Sequence, residues 1–87
     1  MAQWKNYFTE KANGDVAILD KKIRERVFSK IKFLNENFDQ IVHLPLGYQW
    51  QGFFKLRVGD YRIIYEFENN LITIHRIKHR KDVYKNK

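Results

Sequence analysis

Two turn signals, Gly59-Asp60 and Asn69-Asn70, divide the stretch from Trp50 to Ile77 into three runs rich in β-branched and aromatic residues. Strands joined by two-residue turns pair antiparallel, because a parallel crossover needs about a dozen residues or more. Trp50–Val58, Tyr61–Phe67 and Leu71–Ile77 are therefore predicted as a three-stranded meander. Successive strand residues point to opposite faces, so Tyr61, Ile63, Tyr65 and Phe67 share one side, and Arg62, Ile64 and Glu66 the other. In the preceding run Phe54, Leu56 and Val58 oppose Phe53, Lys55 and Arg57. Helices are expected to cover the apolar faces and to leave Lys55, Arg57 and Arg62 together on the open side. In the last run Ile72 and Ile74 fall on one parity and Ile77 on the other, which predicts a bulge or strand end near His75-Arg76.

Upstream, Ile23, Val27, Ile31 and Leu34 recur at spacings of 4, 4 and 3, the stripe of an amphipathic helix. Asp20 is placed to cap it, and the helix is predicted to run to about Glu36. Residues 9–19 admit two readings. Ala12, Val16 and Leu19 fit a short helix, whereas Asn13-Gly14 is also a hairpin signal. The helical reading requires Gly14 to be tolerated at about 1 kcal/mol relative to alanine. It is preferred because Trp4–Phe8 already reads as a strand that hands over to a helix. After the long helix, NENFDQ ends the regular structure, and IVHLPLGYQ, with the only proline, reads as a connecting loop.

A chain of 87 residues without cysteine is expected to form one domain, residues 1–87, of α+β class, with no disulfide to hold it. No apolar run approaches the roughly 18 residues that span a bilayer, and Met-Ala-Gln-Trp-Lys is no signal peptide, so a soluble, cytoplasmic protein is expected. Seventeen Lys/Arg against ten Asp/Glu give a net charge of +7. The excess is uneven: residues 1–52 hold eight basic and six acidic side chains, residues 53–87 nine and four. Clustered cations suit a polyanion, because they neutralise phosphates and release counterions. A solvated face that keeps the protein soluble is the alternative on charge alone.

Several chemistries find little support. His75 and His79 are four apart, but along a strand four residues span about 13 Å, too far for one metal ion. His43 lies in the predicted loop without an evident partner and reads as incidental. The single serine, Ser29, is inside a helix, no glycine-rich phosphate loop is present, and the carboxylates are scattered among lysines. No cofactor or metal is expected. What remains is Lys55, Arg57 and Arg62 on the open face, beside a strand that leads into His79, Arg80 and Tyr84. Arginine holds phosphate bidentately, lysine can serve as a base, and tyrosine can stack on a nucleobase. Such a set can cleave RNA without metal: the ribose 2′-OH attacks the adjacent phosphate, while the protein moves protons and stabilises the added charge.

LRVGDYRIIYEF, followed by the two-asparagine turn, a strand and HRKDVY, resembles the RelE/ParE superfamily of toxin–antitoxin toxins, and its RelE branch most closely. The resemblance extends to the helical hairpin with Leu19-Asp20 between its arms and to the order β-α-α-β-β-β. It implies a RelE-like α+β fold, with an antiparallel sheet packed against two helices, and a toxin silenced by an acidic antitoxin protein. It also implies ribosome-dependent cleavage of mRNA in the A site by the 2′-OH route. Carried over by position, Lys55 assists proton removal and Arg62 stabilises the phosphate. Arg80 serves the leaving group or stabilises charge, and Tyr84 orients and stacks on the nucleotide. His79, beside Arg80, adds acid–base capacity near neutral pH. Arg57 is a supporting phosphate contact, and Arg76 and Lys81 join Lys55 and Arg57 as candidate RNA-phosphate contacts. One departure concerns the base: the RelE-type pattern has a second lysine two residues before Lys55, and here that place is Phe53. The ParE branch, which poisons DNA gyrase, and a non-catalytic module that binds antitoxin or nucleic acid are the alternative readings.

Overall fold

A computed structural model describes residues 4–84. Strand β1 (Lys5–Phe8) leads into helix α1 (Glu10–Ala17), and helix α2 (Lys21–Glu36) follows after a tight connection. Thr9 starts α1 by accepting a hydrogen bond from the Ala12 N–H through its hydroxyl, and Asp20 starts α2 in the same way from Ile23. The Asn13-Gly14 pair is thus inside a helix, as the helical reading of residues 9–19 expects. The stripe on α2 is core: Val27, Ile31 and Leu34 are buried and Ile23 partly so.

Three long strands follow: β3 (Phe54–Val58), β4 (Tyr61–Glu68) and β5 (Leu71–His79), joined as the predicted antiparallel meander. Asn69 and Asn70 both have positive φ, at 51° and 66°, the geometry a two-residue hairpin turn needs. Gly59 also has positive φ, 59°, and a β-carbon there would lie 3.1 Å from an Arg26 nitrogen.

The sheet departs from expectation in two ways. It is not purely antiparallel, because β1 pairs with β5 in parallel, Lys5 opposite Leu71 through Phe8 opposite Ile74. The helical hairpin returns the chain so that its last long strand lies beside its first. The segment read as a loop also supplies a short edge strand, β2 (Leu44–Pro45), antiparallel to β3, so the order is β1-β5-β4-β3-β2. Proline is tolerated at this edge, where a missing N–H breaks no ladder. Trp50, expected in the first meander strand, lies instead in a single 3-10 turn, Tyr48–Trp50.

The bulge falls where the isoleucine parity places it. Ile64 faces Arg76 and Tyr65 faces Ile74, which leaves His75 as the extra residue on β5. Ile72, Ile74 and Ile77 are all buried on the helix side as a result. The main core joins α1 and α2 to that side, with Trp4 stacked on Phe38 and Phe67 edge-on to both at one end. A second, smaller core lies on the opposite face: Trp50, Ile64 and Val83 are buried together, flanked by Leu46 and Phe53. The face expected to be open is therefore partly roofed by the loop before β3 and the segment after β5.

His43 is not incidental. Its Nε2 bonds the Phe38 carbonyl oxygen at 2.8 Å and its Nδ1 the Tyr65 hydroxyl at 2.6 Å. A carbonyl only accepts, so Nε2 carries a proton, and in the neutral ring Nδ1 accepts from the tyrosine hydroxyl. Tyr65 is 1% exposed, and burial pushes its hydroxyl up to about 12. No helix among the described residues is long and apolar enough to cross a membrane.

Candidate functional site

The register of the three meander strands arranges their cations. Arg57 on β3 is opposite Arg62 on β4, and Arg62 is opposite Lys78 on β5. Three positive side chains thus form one row across adjacent strands, where cross-strand neighbours stand about 5 Å apart at Cβ. Like charges placed directly opposite destabilise a sheet, so the row is a site whose repulsion an anion would relieve. Arg62 is partly buried, and its Nη1 donates to the carbonyls of Gly59 and Tyr61, both at 2.9 Å. Those bonds tie the guanidinium to the β3–β4 turn and leave the Nε and Nη2 hydrogens, among the described residues, for a ligand.

One step along β3 from Arg57, on the same face, is Lys55, opposite Ile64. Lys55 and Tyr84 line one cavity of about 420 Å3, whose walls also include Leu46, Tyr48 and Trp50. Tyr84 reaches it because Val83 is buried in the second core and two hydrogen bonds to the His79 carbonyl oxygen, from Asp82 and Val83, turn the chain back. Tyr84 itself is 38% exposed. The structure thus brings Lys55 together with Tyr84, and Arg57 with Arg62. Arg80 and Lys81 are exposed just beyond β5. The Arg80 N–H donates to the Asp60 carbonyl oxygen at 2.7 Å, and its guanidinium lies 3.6 Å from the Asp60 carboxylate, at the turn end of the basic row.

Two candidates from the sequence are placed elsewhere. Arg76, expected to contact phosphate, is held by Asp15 of α1: its Nε and Nη2 donate to the two carboxylate oxygens at 2.9 and 3.1 Å. Asp15 is 6% exposed and also accepts from the Ile77 N–H, filling the edge of β5 beyond the end of β1. That hydrogen-bonded carboxylate raises the Arg76 pKa above its ordinary value. Its charge is already matched, and Arg76 is held against α1 and not in the row with Arg57 and Arg62. His79, expected beside Arg80 and Tyr84, lies on the helix side instead, opposite Tyr61 with ring centroids 5.5 Å apart. Its Nδ1 accepts from the Lys81 N–H. The bulge is the reason His79 changes face, because it advances the phase of every later residue on β5, whereas Arg76 is drawn off by Asp15.

The same shift brings in a residue that the sequence reading passed over. Lys78, not Arg76, completes the row with Arg57 and Arg62. Counting three positions on from the bulged His75 finds it. His75, next to the inward Ile74, faces the open side, where Nε2 lies 2.6 Å from a Glu66 oxygen and the ring packs edge-on against Phe53, 4.8 Å away. Phe53, at the place of the absent second lysine, also packs against Trp50. Among the described residues, no group of three or more His, Cys, Asp or Glu is placed to hold a metal ion.

Comparison with known proteins agrees with this architecture. Residues 7–84 match the sequence model of the family described as the ParE toxin of the type II toxin–antitoxin system parDE. Among solved structures, the toxin–antitoxin complex RelBE2 from Mycobacterium tuberculosis contains a chain 27% identical to this one. It aligns with a TM-score of 0.78 over 90% of this chain and 99% of that chain. A chain of the DinJ–YafQ toxin–antitoxin complex from E. coli is 18% identical, with a TM-score of 0.75 over 94% and 98% of the two chains. The YoeB dimer from Staphylococcus aureus is 21% identical, with a TM-score of 0.73 over 90% and 98%. Among curated proteins, no sequence matches the chain. With its helical hairpin and meander inside the matched span, the chain belongs to the ParE toxin family, within the RelE/ParE superfamily of type II toxin–antitoxin toxins.

Proposed function

We propose that the protein is a metal-independent endoribonuclease toxin that cleaves mRNA in the ribosomal A site. The observation that carries this reading is the row Arg57–Arg62–Lys78 next to a cavity that holds Lys55 and Tyr84. A phosphodiester seated on the row places its added negative charge against Arg62, the partly buried member with free guanidinium hydrogens. Lys55 takes the 2′-OH proton as that oxygen bonds to phosphorus. The P–O5′ bond breaks, leaving a 2′,3′-cyclic phosphate, and the departing O5′ takes a proton from the Arg80 guanidinium to become a 5′-hydroxyl. Tyr84 stacks on a base and orients the ribose. His79 and Arg76 have no part in this scheme, since one faces the core and the other is neutralised by Asp15.

The partner in the resting state is an acidic antitoxin protein. Several of the structural relatives are toxin–antitoxin complexes, and a surface of net charge +7 is suited to a segment rich in Asp and Glu. The cytoplasm, where ribosomes are, is the compartment this activity requires.

Induced expression of wild type and of Arg62→Ala, with growth followed and mRNA ends mapped, tests the reading. Arrest with in-frame mRNA cuts that Arg62→Ala abolishes is the expected result. A second reading, DNA gyrase inhibition, is favoured by the match to the ParE family in particular. Arrest with gyrase-dependent DNA breaks and intact mRNA would replace the first reading with the second.

A further inference from the structure

Tyr48 stands apart from every other aromatic residue described. It is 100% exposed, and its φ is +55°, a conformation in which a bulky side chain is an outlier. The surrounding backbone is tightly held. Trp50 N–H donates to Gly47, Gln51 to Tyr48 and Phe53 to Trp50, while Leu46 N–H donates to Phe53 across the base of the loop. Trp50 anchors the loop in the second core at 6% exposure. A strained, fully solvated ring on a fixed loop contributes nothing evident to folding, and strain of this kind collects at binding sites.

Its position gives the strain a use. Tyr48 lines the same 420 Å3 cavity as Lys55 and Tyr84, and that volume lies within the roughly 300–1,000 Å3 of small-ligand sites. Trp50 lines the cavity as well, and its indole Nε1 is buried without a partner among the described residues. An aromatic platform and a lysine in one concavity match the chemistry of a single-stranded nucleobase next to a phosphate.

We infer that Tyr48 and the cavity it lines form a nucleobase subsite, in which the Tyr48 ring stacks on an RNA base flanking the cleaved bond. This rests on the proposed endoribonuclease reading and adds to it a residue that neither the basic row nor the chain end contains. Tyr48 is then a specificity-determining residue, and Lys55 links the subsite to the scissile phosphate.

The test compares wild type, Tyr48→Ala, Tyr48→Phe and Tyr48→Gly on ribosomes programmed with reporter mRNAs that differ in the bases flanking the cut. Tyr48→Ala should cleave roughly 5- to 150-fold more slowly, the range expected for loss of one base–aromatic stack, and with altered flanking-base preference. Tyr48→Phe keeps the ring and should stay near wild type. Tyr48→Gly removes the ring but suits the positive φ, so it should be as slow as Tyr48→Ala while melting no lower than wild type. Unchanged rate and preference in Tyr48→Ala overturns the inference alone, as does a loss in Tyr48→Phe equal to that in Tyr48→Ala. Unchanged cleavage with weakened antitoxin binding overturns it too, and makes Tyr48 a protein contact. Absence of cleavage by wild type overturns the endoribonuclease reading itself.

Discussion

Asp15 on the first helix and Arg76 on the last strand are 61 positions apart in sequence and joined by two hydrogen bonds, of 2.9 and 3.1 Å. The same carboxylate takes the Ile77 N–H, so one buried side chain neutralises a cation and closes a strand edge. Removing the carboxylate in Asp15→Ala leaves Arg76 and a backbone donor unmatched at once. The expected loss is about 3 kcal/mol in urea unfolding. Arg76→Met in that background should recover part of it, since it removes the uncompensated charge; no recovery would show that the Ile77 bond alone carries the effect.

The cation row predicts opposite effects on stability and activity. Arg57→Thr or Lys78→Thr relieves like-charge repulsion and keeps a β-favouring residue, so stability should rise by up to about 1 kcal/mol at low salt, with the gain shrinking as salt is added. Toxicity on induction should fall in the same variants. A variant that is both more stable and equally toxic would remove its residue from the phosphate site.

Tyr65 sets an alkaline limit. Its hydroxyl is pushed from 10.0 to about 12 in the fold, so above pH 10 the unfolded chain loses this proton first. The stability it contributes is complete below pH 10 and is lost as pH rises towards 12, in all roughly 2–3 kcal/mol. Melting curves from pH 9 to 12 should fall more steeply for wild type than for Tyr65→Phe; parallel slopes would refute the assignment.

Trp50→Ala empties the centre of the second core. A cost of about 3–5 kcal/mol is expected from denaturant unfolding, by analogy with other buried aromatic deletions. Because Val83 rests on the same cluster, amide exchange at residues 80–84 should quicken as well.

Gly14 occupies an exposed position inside α1, and a β-carbon there meets nothing within 4 Å. Gly14→Ala should therefore raise stability by about 1 kcal/mol, seen as an increase in Tm, with toxicity unchanged.

The elements legible in the sequence were those with short-range signals. The α2 stripe with Asp20 before it, both tight turns and the bulge at His75 follow from residues within one or two turns of each other. Even the alternation that puts Lys55, Arg57 and Arg62 on one face is local. What the sequence withheld depends on long-range partners. Ile64 is buried by Trp50 and Val83, which nothing in the strand pattern announces. His43 finds Tyr65 across 22 positions, and Arg76 finds Asp15 across 61, contacts that no local pattern announces. His79 and Lys78 exchanged faces for a different reason. The isoleucine parity predicts the bulge, and the bulge in turn reverses the alternation of Lys78 and His79.

That extra residue makes β5 two half-strands in series, each with its own phase. The first half, through Ile74, answers to β1 and the helices; the second, from Arg76, answers to Asp15 and to the charge row. Were His75 paired opposite Ile64 instead, the second half would turn inside out, moving Lys78 into the apolar layer and Ile77 into solvent, whereas deleting His75 closes the bulge and keeps both phases. Grafting residues 76–84 onto another member of the fold is thus a question of reading frame before it is one of chemistry.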